Sequence, residues 1–341
     1  MNMSTYMAKE ILDIPNVIER QQDANASTLI ALAEYLKKAK PTQIITLGRG
    51  SSYNASIYGK YLFEIGLGLP VSVAAPSLAS IYEHPLNTDN AILIVTSQSG
   101  KSPDLISYAK MMKQQGAKII GIINDEKSPL AQECDFLFGI KAGEEKSVAA
   151  TKSFVGSLSV YASIFAAWSE DSALADGLMN LPFVLDQVAT TEWPALIESL
   201  SHTKDLFVIG RGIGLSVAAE AALKLKETCQ IHAEGISASE IFHGSASLIT
   251  PQYPIISFVG SDASRESTIE INKKLENFGA RIFAIDSKQS SEDTLIIPEV
   301  HPLLQPLVQI SGYYRVIEKL SQHRGLNPDV PPNLKKVTET I

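Results

Sequence analysis

Two cysteines, Cys134 and Cys229, are all that the 341 residues contain. They form no CxxC pair and lie far apart, so no disulfide framework is indicated; both read as buried thiols of a reducing cytosol. The six histidines form no HExxH and no His/Cys cluster, which argues against a metal site, and no cofactor is expected. Positive charge is also scarce: 29 Lys and Arg stand against 37 Asp and Glu, a net charge of −8. With no basic stripe, a nucleic-acid partner is excluded, and any anion site must be built locally from dipoles and hydroxyls. Long apolar runs are missing. The most membrane-like stretch, 153–168, is interrupted by Ser157, Ser159 and Ser163 and is too short to span, so it reads as a buried core helix with no membrane role. The first ten residues lack the basic-then-apolar order of a signal peptide.

What remains is an ordinary globular composition, 45% apolar and 19% charged, long enough for two lobes. Apolar strands alternate with amphipathic helices, the pattern of α/β folds with a mostly parallel sheet and helices on both faces. The alternation occurs twice. Ile45-Thr-Leu-Gly-Arg-Gly50 recurs as Phe207-Val-Ile-Gly-Arg-Gly212, and the runs Ala91–Val95 and Lys118–Ile122 recur as Pro254–Phe258 and Arg281–Ile285. Strands repeating in one register indicate a duplicated lobe. The expected organisation is a helical segment over 1–40, with Ile11, Leu12, Ile14, Val17 and Ile18 on one face interrupted at Pro15, then lobes over 41–185 and 186–325 and a tail over 326–341.

The most telling segment is Thr96-Ser97-Gln98-Ser99-Gly100-Lys101-Ser102-Pro103-Asp104. A strand feeds it and a helical pattern leaves it, so main-chain N–H groups and a positive helix end converge there. Ser97, Ser99 and Ser102 add hydroxyls and Gln98 an amide, a setting for a phosphate monoester. Without GxxxxGK[ST] it is no nucleotide P-loop. The second copy reads Val259-Gly-Ser-Asp-Ala263, where Asp262 would repel a phosphate. Gly48-Arg-Gly-Ser-Ser52 half-matches a dinucleotide fingerprint, but no acidic residue ends the next strand. It reads as a tight turn capped by Ser51 or Ser52, or as a second wall of the phosphate pocket. Glu144 and Glu145 read as a solvated loop before the small residues Val148 to Ala150. Lys224 and Glu227, three apart on a helix, read equally as a surface ion pair or as a proton shuttle. Taken alone, His243 reads as structural and the Pro-rich tail with Lys335 and Lys336 as frayed.

Together these segments resemble the sugar isomerase (SIS) domain family, in particular the double-SIS isomerase half of glucosamine-6-phosphate synthases and their stand-alone relatives. The matching residues are Gly50-Ser51-Ser52, Ser97-Gln98-Ser99-Gly100 with Ser102, Val148 to Lys152, Leu223 to Glu227, His243-Gly244, and Asn333, Leu334 and Lys336. The resemblance implies two flavodoxin-like three-layer lobes and a hexosamine-phosphate substrate. It implies that Glu227 moves a proton between C1 and C2, with Lys224 assisting. His243 would open the ring from the neighbouring subunit of a homodimer, and Lys336 would sit over the sugar as a Schiff-base amine. Ser51, Ser52, Ser97, Gln98, Ser99, Ser102, Val148, Ala150 and Lys335 would bind the substrate. The departures are Asn2 in place of a catalytic cysteine, Ala150 for a serine, and Ser245 for a proline. The expected activity is conversion of glucosamine 6-phosphate to fructose 6-phosphate and ammonia. Fructosamine-6-phosphate deglycation, ammonia-dependent synthesis and non-catalytic sugar-phosphate sensing are the alternatives.

Overall fold

Ten strands form two sheets in a computed structural model that describes residues 4–336. The first sheet contains β1 (Gln43–Leu47), β2 (Val71–Val73), β3 (Ala91–Ser97), β4 (Lys118–Ile123) and β5 (Phe136–Gly139), in the order β2-β1-β3-β4-β5. The second contains β6 (Asp205–Gly210), β7 (His232–Ser237), β8 (Pro254–Phe258), β9 (Arg281–Asp286) and β10 (Thr294–Ile296), in the order β10-β9-β8-β6-β7. Read from the other edge, the second order is the first one again. All pairings are parallel. The pairing repeats with a shift of one: Ile45 faces Leu93 and Leu93 faces Ile119, while Phe207 faces Ile255 and Ile255 faces Ile282, one residue before the Ile256 that the repeat aligns with Leu93.

Parallel sheets need cover on both faces, so their strands are continuous apolar runs. Every residue of β3 is buried. On one face Leu47, Leu93 and Val95 meet Leu105, Tyr108 and Met112 of helix Pro103–Gln114. In the second sheet Phe207, Ile209, Ile255 and Ile282 meet Ile271 and Leu275 of helix Arg265–Asn277. The serine-interrupted stretch lies in helix Lys152–Ser169, with Phe154, Leu158, Tyr161 and Phe165 buried. Among the described residues no helix is long and apolar enough to cross a membrane.

The N-terminal segment is helical and is interrupted beside Pro15. Helix Tyr6–Leu12 ends at Asp13, and a single helix, Ile14–Ala39, carries the rest. Pro15 falls in the first turn of that second helix, where a missing N–H has no partner to lose. Leu12 is exposed, whereas Ile11, Ile14, Val17 and Ile18 are buried.

The chain divides into two compact units that are not contiguous in sequence. One holds the first sheet and comprises Asn16–Glu145, Lys152–Met179 and the residues from Lys335. The other holds the second sheet and comprises the residues up to Pro15, Lys146–Thr151 and Asn180–Leu334. We propose the boundaries 41–185 and 186–325 for the two repeats, a division by internal similarity rather than by packing.

Candidate active site

In the first sheet, strand order reverses between β1 and β3. Their neighbours run outward in opposite directions and leave a crevice at the carboxyl ends, the usual ligand position in open α/β sheets. The turns 48–52 and 98–102 both emerge there. After β1, Gly48 approaches its own turn so closely that a Cβ would lie 2.5 Å from the Ser52 main chain. Helix Ser51–Leu67 then starts at Gly50, with no side-chain cap, so neither Ser51 nor Ser52 is spent as the cap; both are half-buried.

After β3 the turn is held by its own hydroxyls. Ser97 Oγ accepts the Gly100 N–H at 3.0 Å, and Ser99 Oγ accepts the Lys101 N–H at 3.3 Å. A hydroxyl that accepts still has a proton to give. Gly100 has φ +63°, and a Cβ there would lie 1.9 Å from Ser128 Oγ. The Ser97, Gln98 and Gly100 carbonyls accept from the main-chain N–H groups of Asn124, Asp125 and Leu130, which ties the turn to the following loop. Ser102 precedes helix Pro103–Gln114 but makes no side-chain cap.

One ion pair at this crevice was not legible in the sequence. Asp104 is fully buried and accepts from Arg49 Nε at 2.8 Å, with a second approach from Arg49 Nη2 at 2.6 Å. It links the two turns across fifty-five positions of chain.

In the other unit, helix Gly214–Cys229 carries Lys224 and Glu227. They are not a surface pair. The Lys224 side chain is 0% exposed and that of Glu227 18%. Lys224 Nζ donates to Glu227 Oε2 and lies 3.3 Å from Oε1 of Glu220, one turn earlier and equally buried. Tyr314 Oη donates to Glu220 Oε1 at 3.1 Å. Burial opposes charge on Lys224, but the flanking carboxylates outweigh it and hold the ammonium above the ordinary lysine range. Glu220 was missed, although the i, i+4, i+7 spacing of 220, 224 and 227 was there to be read. His243 is exposed at the end of the 3₁₀ segment Glu240–His243. Among the described residues no hydrogen bond or ion pair joins it to Lys224 or Glu227. Gly244, at φ +144°, separates it from the next 3₁₀ turn, Ser245–Leu248.

Val148 and Ala150 are half-buried in a loop of this second unit. Glu10 Oε1 accepts the N–H groups of Lys146 and Ser147, and Asp329 O accepts that of Val148 at 3.2 Å. Asp329 in turn receives the Tyr6 and Met7 N–H groups on its carboxylate, each at 2.8 Å.

Glu145 requires a correction. It was read as solvated, yet it is 3% exposed. Ser153 Oγ donates to its Oε2 at 2.7 Å, Ser153 N to its Oε1 at 3.2 Å, and Lys336 Nζ to its Oε2 at 2.9 Å. Only Glu144 is on the surface. Lys335 is exposed and Lys336 half-buried, while the tail beyond Lys336 lies outside the described residues. Cys134 is a second correction, being only partly buried, while Cys229 is buried. Burial pushes both thiols up to about 12.

The SIS domain profile matches residues 35–167 and 199–292, one match on each repeat. The chain belongs to the SIS domain family. This double-SIS protein is 31% identical to a glutamine–fructose-6-phosphate aminotransferase (isomerizing) of Rhizobium meliloti, over 98% of this chain and 59% of the relative. It is 32% identical to another from Methanothermobacter thermautotrophicus, over 97% of this chain and 57% of that one. It thus spans under two thirds of these relatives and is homologous to their isomerase domain. A protein from Silicibacter pomeroyi described as a phosphosugar isomerase shares 37% identity and superposes with a TM-score of 0.90, over 96% of this chain and 100% of its own. A glucosamine-6-phosphate deaminase of Thermotoga maritima, 20% identical with a TM-score of 0.78 over 98% of this chain and 100% of its own, shares the fold.

Proposed function

We propose that this double-SIS protein is a glucosamine-6-phosphate deaminase working in the cytosol as a homodimer. The observation that carries the reading is the Glu227 carboxylate. It is reachable from solvent at 18% exposure, yet fixed by an ammonium that is wholly out of water. A base that must visit two adjacent carbons of one substrate needs both properties.

The hydroxyl-lined turn at Ser97, Gln98, Ser99 and Ser102, with Ser51 and Ser52, takes the phosphoryl group. His243, contributed from the partner subunit, opens the ring. Glu227 removes the proton from C2 and returns it to C1, while a second proton passes from the amine to O1. The aldehyde thereby becomes a hydroxymethyl group and C2 a ketimine. Water adds at C2, ammonia leaves, and fructose 6-phosphate remains. Lys336 is the amine that can carry the ketose as a Schiff base before hydrolysis, with Lys335 as a second cation beside it. Val148 and Ala150 border the sugar.

Purified protein incubated with glucosamine 6-phosphate should release ammonia and fructose 6-phosphate in equal amounts. No release from it, with release from a fructosamine 6-phosphate, would replace the deaminase by a deglycase. Tight binding without turnover of any amino-sugar phosphate would make the protein a sensor. Net synthesis from fructose 6-phosphate and ammonium would reverse the direction.

A further inference from the structure

Glu145 is a carboxylate out of water, and a buried charge must be compensated. Part of the compensation is fixed in the fold: the Ser153 N–H and hydroxyl, at the first turn of helix Lys152–Ser169, form the positive end of a helix around it. Lys336 adds to it from 191 positions away: its Nζ lies 2.9 Å from Oε2 while its side chain keeps 24% exposure. The segment that brings Lys336 there is largely exposed. Val330 is 68% and Leu334 45% exposed, a main-chain hydrogen bond runs from Val330 N to Asn327 O, Pro331 is buried, and a single turn spans Pro332 and Asn333. A stretch of this kind frays unless something ties it down.

We propose that Glu145 is the positioning residue of Lys336, a preformed anionic seat that docks the end of the C-terminal segment and fixes where its amine stands. The seat also sets an order of events. While Nζ donates to Glu145 it is an ammonium with no lone pair. Attack on a carbonyl carbon or ketimine therefore requires one proton to leave Nζ, and the Glu145 carboxylate beside it is positioned to take it. The ordering role of the seat stands by itself; its catalytic consequence rests on the function proposed above.

Lysine footprinting of ligand-free protein tests the seat without any substrate. An amine acylating reagent followed by mass spectrometry should modify Lys336 about tenfold more slowly than the exposed Lys335, the ratio that about 1.4 kcal/mol of pairing supplies. In Glu145→Gln the two rates should become equal, and in Glu145→Asp Lys336 should regain part of its protection. Equal rates in the wild type, or unchanged protection in a folded Glu145→Gln, would overturn the proposal. If Glu145→Gln does not fold, Ser153→Ala, which removes one of the carboxylate's anchors and leaves both members of the pair, should raise Lys336 labelling alone; unchanged labelling would again overturn it. With substrate, Glu145→Gln should lower kcat about tenfold or more at an unchanged KM, because the phosphate turn is untouched. Borohydride should then no longer trap fructose 6-phosphate on Lys336. An unchanged kcat would remove the catalytic part. Protection of Lys336 in a protein that turns over no amino-sugar phosphate would leave the seat standing and defeat the deaminase reading instead.

Discussion

The two lobes share strand order but end their third strands differently. After β3 the turn's serines accept its own N–H groups, and the only carboxylate, Asp104, is fully buried against Arg49. After β8 the corresponding position holds Asp262, whose Oδ1 accepts both the N–H and the hydroxyl of Ser264 at the start of helix Arg265–Asn277. That helix end already has its anion. In each copy, then, a carboxylate meets the start of the helix that follows, Asp104 accepting the Leu105 N–H at 2.8 Å and Asp262 that of Ser264 at 3.0 Å, but Asp104 is in addition paired with Arg49. The second copy carries the buried Glu220–Lys224–Glu227 row on helix Gly214–Cys229. In the function proposed above, one lobe holds the phosphoryl group and the other transfers the proton.

This division of labour can be broken one side at a time. Glu227→Gln should cut turnover by about 10²–10⁴-fold while calorimetry with a non-reacting hexitol 6-phosphate shows binding retained; loss of both together would mean that the lobes do not divide the work. The ion pairs behind the two turns come next. Arg265 and Asp286 are bonded through two nitrogens at 2.7 and 3.0 Å and are nearly out of water, so Arg265→Met should cost about 3–5 kcal/mol in urea unfolding. Arg49 is 47% exposed, and water relieves part of the loss, so Arg49→Met should cost about 1–2 kcal/mol. The reverse ranking would undermine the burial argument. Ser97→Ala should raise KM for a sugar phosphate about tenfold with kcat kept, the size of one charge-assisted hydrogen bond. Ser261→Ala, at the matching turn of the second lobe, should leave KM unchanged. The smallest effect concerns the thiols. Burial holds Cys134 and Cys229 up at about 12 against an ordinary 9.0. The folded chain therefore keeps protons that the unfolded chain releases above 9.0. The two thiols leave stability untouched below that pH and lower it as pH rises towards 12. A Cys134→Ala, Cys229→Ala pair should flatten the alkaline fall of the urea midpoint and do nothing near neutrality.

Much of the architecture could be read from periodicity, because a parallel sheet covered on both faces writes its strands as unbroken Ile, Leu and Val runs, and a duplicated sheet writes them twice. The hydroxyl-rich turn after β3 stood out for a related reason: hydroxyls crowded between a strand and a helix have few structural uses. Readings failed where long-range packing decided the outcome. Glu145 looks solvated beside Glu144 because nothing local announces Ser153 or Lys336. Arg49 and Asp104 meet only because β1 and β3 are neighbours in the sheet. Lys224 and Glu227 stayed ambiguous until burial was known, since an i, i+3 pair has the same spelling on a surface and in a core.

Asp329 accepts the first free N–H groups of helix Tyr6–Leu12, and Glu10 of that helix accepts those of Lys146 and Ser147. Three stretches more than a hundred positions apart are thus knotted by two carboxylates. Deleting the chain from Asp329 onward would shorten more than a tail: it would unseat a helix near the opposite terminus and, through it, slacken the mid-chain loop 146–151.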